Sequence, residues 1–272
     1  MTEELIKRFI RHRNFLKKAN IQLEYVEDDH SPCIYIDNPV IIAGFAGFVK
    51  KEMAGSNIYF RGESGSYKHV VPSLFRDGAS PMTDTKAIQH KFRAYTELKN
   101  ETKKHFHDMV SRFKNEEIDN LFQHYGIRSP VIDMVDNIYV ATWFAMDGSK
   151  DGYGYIRLMN TSHADLMVSD LRTSHSSLSL RLHTQHGLIG KKKVKAWNAG
   201  NIFYDKYEVA RIKFPVTKDI AGGVLFSKEN IYPGILLDNT LKILKNSKWM
   251  AARIQQTEKK YHLKKGDLGS IR

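Results

Sequence analysis

The stretch that decides the fold is NIYFRGESGSYKHVVPSLFR, residues 57–76. A short β-type run, Ile58, Tyr59 and Phe60, delivers an arginine, Arg61, and Gly62 follows at once. A guanidinium at the inner end of an apolar strand is costly unless something anionic or planar meets it. Two readings stand open: Arg61 faces a ligand, or it forms a buried structural ion pair, for instance with Asp133.

Outward from this strand the pattern is mixed. Upstream, residues 3–19 carry Leu5, Phe9 and Leu16 near one face, which predicts an amphipathic helix. Alternation either side of DDHSP predicts a hairpin over 21–38, and Asn38-Pro39 opens a helix from 39 to 53 closed by Gly55. Downstream, 84–124 is helical in period and 137–146 is a short, almost wholly apolar helix. Strands are expected over 153–160 and 202–215, a last helix over 235–245, and the weakest pattern over 161–200. The expectation is α+β: one mixed domain with an N-terminal cap (1–38), a body (39–245) and a basic C-terminal tail (246–272).

The 272 residues are 42% apolar and 26% charged, which suits a packed core. A single cysteine, Cys33, excludes an internal disulfide and points to a reducing, cytoplasmic setting. Charges interrupt the N-terminal stretch, so no signal peptide is expected, and no run approaches a membrane span. The formal charge of +12 favours polyanionic partners, nucleic acid (RNA or DNA) ahead of membrane. Two local concentrations carry it. One is Lys191, Lys192 and Lys193 with Trp197, where an exposed indole would stack on bases, or a buried one would anchor a loop. The other is Lys245–Arg272, with eight Lys/Arg against two acids, including Lys259, Lys260, Lys264 and Lys265. Twelve histidines lack metal-ligand spacing, and no metal site is expected.

Three pieces read together carry a resemblance: Phe60-Arg61-Gly62 with Pro72-Ser73-Leu74-Phe75-Arg76; Gln123-His124-Tyr125-Gly126, Val131-Ile132-Asp133 and Phe144-Ala145; and Arg181 with Gln185 and Gly187. In order and spacing the chain resembles the FRG domain over roughly residues 40–245. It departs from that family's pattern at Arg128-Ser129-Pro130 and at Met134-Val135. The strand-aromatic-Arg-Gly run is also similar to the first motif of ADP-ribosyltransferases.

That second resemblance implies an ADP-ribosyltransferase-like β core and NAD as substrate. Arg61 would hold the pyrophosphate side, and Gly62 would let backbone approach the ligand. His124 would bond a ribose hydroxyl or the carboxamide, Tyr125 would stack on nicotinamide, and Arg181 and Gln185 would complete the cofactor set. A carboxylate must stabilise the oxocarbenium-like state; Asp133, Glu208, Glu229 and Glu63 are the candidates, with Asp133 preferred over Glu208. The expected activity is mono-ADP-ribosylation of nucleic acid, in a toxin of phage defence or of a toxin–antitoxin pair with an inhibitory antitoxin. The alternative is a non-catalytic nucleotide- or nucleic-acid-binding regulatory module.

Overall fold

The computed structural model describes residues 2–11, 21–28, 31–78, 80–107, 115–174, 179–218, 220 and 226–272. The elements begin α1 (Thr2–Arg11), β1 (Leu23–Asp28), β2 (Ser31–Ile36), α2 (Pro39–Glu52), β3 (Ile58–Glu63), β4 (Arg76–Asp77), β5 (Ser80–Pro81), α3 (Thr85–His105) and α4 (Asn115–His124). After these come β6 (Ile132–Val135), α5 (Ile138–Met146), β7 (Tyr153–Asn160), β8 (Leu166–Asp170), α6 (Leu171–Ser174), α7 (Leu180–Thr184) and β9 (Gly187–Lys192). The last are β10 (Glu208–Pro215), α8 (Lys228–Ile231), α9 (Asn239–Asn246) and α10 (Lys248–Lys260). The fold is α+β.

The chain forms two compact units, each assembled from three separate segments. Unit 1 is Met1–His69, Met134–Leu166 and Asp205–Ser227; unit 2 is Val70–Asp133, Met167–Tyr204 and Lys228–Arg272.

In unit 1 the strand order is β1-β2-β10-β7-β3. The hairpin β1–β2 is antiparallel, β10 runs parallel to β2 with Ile212 opposite Ile34, and β10, β7 and β3 are antiparallel neighbours. Strand β7 is buried along six consecutive residues, as a central strand must be. Helix α2 starts where the sequence signals it: Asn38 Oδ1 accepts from the amides of Val40 and Ile41, and Pro39 follows. Its Ile42, Phe45, Ala46 and Val49 are buried, and Phe9 of α1 meets Phe45 edge-on at 5.0 Å.

Unit 2 is mostly helical. Buried Asp119 on α4 accepts from Tyr95 Oη, Lys99 Nζ and Lys191 Nζ, each at 2.6 Å, so one carboxylate ties α3, α4 and β9. The segment expected to be a tail is folded. Met250, Ile254 and Thr257 of α10 are buried, and Glu97 of α3 accepts from Arg253, Lys260 and Tyr261. Glu258 Oε1 then accepts from the amides of Gly266 and Leu268. The lysine density hid an amphipathic period of Met250, Ile254 and Thr257.

Other boundaries moved for local reasons. The strand expected from 202 starts at Glu208, because Asp205–Tyr207 form a 3-10 turn and His69 Nδ1 bonds Asp205 at 2.7 Å. The weakly patterned 161–200 holds β8, α6, α7 and β9. Residues 12–19 of the first expected helix, the turn residues Asp29 and His30, and residues 108–114 lie outside the described residues.

Candidate functional site

The first motif builds a row of arginines inside unit 1. Arg61 on β3 stands directly opposite Arg157 on β7, which stands directly opposite Arg211 on β10. Like charges across neighbouring strands repel, more so when buried. Two glutamates resolve this. Glu63 lies two residues after Arg61, hence on the same face; its Oε1 accepts from Arg61 Nε at 3.0 Å and its Oε2 from Arg157 Nε at 2.6 Å. Glu208 accepts from Arg211 Nε and Nη2 at 3.0 and 3.1 Å and from Arg157 Nη1. A bulge between Glu208 and Ala210 turns Glu208 toward the row. Burial alone would raise the Glu63 pKa, but the charges and hydrogen bonds of Arg157 and Arg61 hold it below the usual carboxylate range.

Two expected roles change here. Glu208 holds two guanidiniums and is a structural carboxylate, not a free base. The space beside Gly62 is taken by helix α5: a Cβ there would lie 2.0 Å from the Ala141 carbonyl oxygen and 2.8 Å from the Ala145 nitrogen. Gly62 therefore serves helix packing and does not open the backbone to a ligand. Arg61 holds Glu63, and its side chain is 14% exposed.

The second motif builds a relay inside unit 2. Helix α4 ends in Gln123-His124, and Gly126 at φ 94 turns the chain away, as a C-cap glycine does. Gln123 Oε1 accepts from Ser129 Oγ at 2.7 Å and Ser73 Oγ at 3.0 Å, which leaves its amide nitrogen to donate to Asp133 Oδ2 at 2.7 Å. His124 Nδ1 bonds Gln185 Oε1 at 2.7 Å, and Gln185 Nε2 donates to the carbonyl of Ile231 at 3.0 Å. His124 Nε2 is buried, makes no hydrogen bond, and faces Asp133 Oδ1 at 3.7 Å. A Cβ on Gly187 would lie 3.2 Å from the His124 ring, so glycine there leaves the imidazole its place. The relay thus runs from two serines through Gln123 and Asp133 to His124 and Gln185. His124 is 6% and Asp133 38% exposed, so Asp133 is the end a substrate can reach.

Gln123, Ser73 and Ser129 were not singled out from sequence. Gln123 stood in the quoted motif beside His124, and its role needed the amide's partners to be seen.

Tyr125 and Arg181 serve the fold. Tyr125 is fully buried with its hydroxyl on both oxygens of Asp238, and burial, then the Asp238 charge, pushes the phenol far above its ordinary pKa. No face is left to stack on nicotinamide. Arg181 packs its guanidinium over the Tyr125 and Tyr232 rings and donates to the main-chain oxygen of Arg272 at 2.7 Å.

Of the expected nucleic-acid contacts, Trp197 is 3% exposed and packed on Phe75 at 4.7 Å, so it anchors a loop. Lys191 is paired to Asp119, and Lys192 donates to the carbonyls of Asn201 and Phe203. Lys193, Lys259, Lys264 and Lys265 are exposed, while Lys260 pairs with Glu97. Among the described residues no group of three or more His, Cys, Asp or Glu is placed to hold a metal, and no helix is long and apolar enough to cross a membrane.

These clusters fall on a known family pattern: the family model of the FRG domain matches residues 56–153. Over that span the chain matches the FRG domain. The matched span holds Arg61 with its Glu63 and Arg157's strand entry, and the Gln123–Asp133 half of the relay. Arg181 and Gln185 lie beyond the matched FRG residues. No curated protein and no solved structure matches the chain.

Proposed function

We propose that this protein is a NAD-dependent mono-ADP-ribosyltransferase of nucleic acid, RNA before DNA, with an ADP-ribosyltransferase-like core. Its proposed setting is the cytoplasm, as a toxin of phage defence or of a toxin–antitoxin pair restrained by an antitoxin. The observation that carries the chemistry is the Asp133–His124 pair, fixed from both sides by the amides of Gln123 and Gln185. When the bond between C1′ and nicotinamide breaks, positive charge develops on the ribose, and a positioned carboxylate such as Asp133 stabilises it. The acceptor's oxygen or nitrogen then attacks C1′ and releases a proton. Asp133 takes that proton and, as a carboxylic acid, can pass it to Nε2 of His124 behind it. The 3.7 Å separation is longer than a hydrogen bond, as unliganded sites often are. The basic charge supports a polyanionic acceptor.

Incubation with labelled NAD and, in turn, RNA, DNA and protein tests this reading. Label on RNA or DNA, lost in Asp133→Asn, supports it. The exposed lysines 259, 264 and 265 favour a second reading, a non-catalytic module that binds nucleotide or nucleic acid. That reading takes over if nothing is labelled and no nicotinamide is released.

A further inference from the structure

Within unit 2 a pocket of about 380 Å³ is lined by Arg76, Arg128 and Arg272, with Ser73 and Gln123, and among the described residues by no aspartate or glutamate. Arg76 closes the Pro72–Arg76 motif, and Arg128 lies in the segment where the chain departs from the FRG pattern. The pocket is built on backbone packed too closely for side chains. The amide of Arg128 donates to the Leu268 carbonyl, and that of Ser270 to the Gly126 carbonyl. A Cβ on Gly126 would lie 2.3 Å from the Ser270 oxygen, and one on Gly269 would lie 2.3 Å from the Gly126 oxygen.

Guanidiniums gathered around one small volume favour an anion, to which each offers a planar, permanently charged fork. A further cation stands close by, itself paired to Asp267 at 3.5 Å. Lys91, with a side chain only 4% exposed, donates at 3.5 Å to the Arg76 carbonyl, which Arg128 Nη1 also approaches at 3.4 Å. Burial, and Arg128 nearby, lower the pKa of Lys91 even though Asp267 pulls the other way. The volume is at the small-molecule end of ligand pockets and larger than one phosphate needs.

We propose that this pocket binds the phosphoanhydride of a small nucleotide, with Arg128, Arg76 and Arg272 as the cationic contacts. The pocket shares Gln123 with the relay, so its occupant lies against the amide that holds Asp133. The assignment rests on charge and volume, and it stands whether or not the chain transfers ADP-ribose.

Calorimetric titration of the full chain tests it with inorganic pyrophosphate, ADP and uncharged adenosine, in the absence of NAD and nucleic acid. Pyrophosphate and ADP are expected to saturate one site and adenosine none. Equal affinity for the two phosphates assigns the site to the anhydride alone, and tighter ADP adds a contact to the nucleoside. Arg128→Gln and Arg272→Glu should each weaken both by about tenfold or more, since each removes a charge-assisted contact. The Arg272 side chain is exposed, so Arg272→Glu decides the matter if Arg128→Gln melts early. No saturable pyrophosphate binding, adenosine binding as tightly as ADP, or unchanged affinity in a folded Arg272→Glu protein overturns the assignment.

Discussion

Gln185 Oε1 sits 2.7 Å from Nδ1 of His124, and the other end of the same amide donates to the Ile231 carbonyl, so the neutral ring carries its proton on Nδ1. Nε2 is thereby the ring nitrogen that faces Asp133. A residue 61 positions away along the chain thus sets which nitrogen faces the carboxylate.

Gln185→Leu removes that acceptor and strands both the Nδ1–H and the Ile231 carbonyl. A stability loss of about 1–3 kcal/mol is expected, together with a changed pair of His124 ring nitrogen shifts by NMR. Unaltered ring shifts in a folded variant would show that Gln185 does not set the tautomer.

The arginine row divides by partner count. Arg157→Ala takes a guanidinium from both Glu63 and Glu208, leaving each its other arginine, and should cost about 3–5 kcal/mol in urea unfolding. Arg61→Ala leaves Glu63 its bond to Arg157, so the loss should stay within about 1.5–3 kcal/mol. Equal losses in the two variants would contradict this ordering.

The row also makes stability depend on acid pH. Glu63 has a folded pKa below its ordinary 4.5, so the folded state binds fewer protons than the unfolded one. Its contribution is complete above about pH 4.5 and is lost as pH falls through the lowered value. Urea midpoints taken from pH 7 down to pH 3 should fall at the acid end, with a shallower fall in Glu63→Gln. An identical acid slope in that variant refutes the assignment.

Gly62→Ala and Gly187→Ala should behave differently. The first drives a Cβ into the backbone of α5, at 2.0 Å from Ala141 O, and the chain should fail to accumulate folded. The second meets the end of the Leu171 side chain at 2.9 Å and the His124 ring at 3.2 Å, so the fold should survive while the ring shifts. Circular dichroism separates the two; a folded Gly62→Ala protein would mean the helix can retreat.

If RNA binds, the exposed lysines contribute in proportion to phosphates met. Replacing Lys259, Lys264 and Lys265 by Gln should flatten the salt dependence of binding by about 0.7 per lost contact on single strands. Lys260, already paired to Glu97, should add little. An unchanged slope in the triple variant would remove this face from the interface.

The local elements were legible because their signals are local. Asn38-Pro39, the apolar run 138–146 and the alternation of β7 each carry their own period or cap. His124, Asp133 and Gln185 all fell on quoted motifs, but their contacts with one another were not read from the sequence. Partner identity was not legible. Glu63 was named only as a spare carboxylate, because the face it shares with Arg61 matters only once Arg157 stands opposite. Glu208 looked available because nothing in the sequence announces a bulge that aims it at Arg211. Trp197 kept both stacking and buried readings open until its neighbours were in place, and Tyr125, expected to stack on nicotinamide, lies buried against Asp238.

Strand β10 lies between β2 and β7, so the N-terminal hairpin and the strand bearing Arg157 meet through a segment that ends at residue 215. During synthesis the hairpin, α2 and β3 all emerge well before that bridging strand exists. Until it arrives, β2 and β7 present open edges, and Arg157 waits without Glu208. A chain stalled anywhere short of β10 therefore exposes open strand edges and two arginines sharing the single carboxylate of Glu63, features that invite chaperones and proteases. Completion of this one late strand is what turns the nascent chain into a protein that can be left unattended.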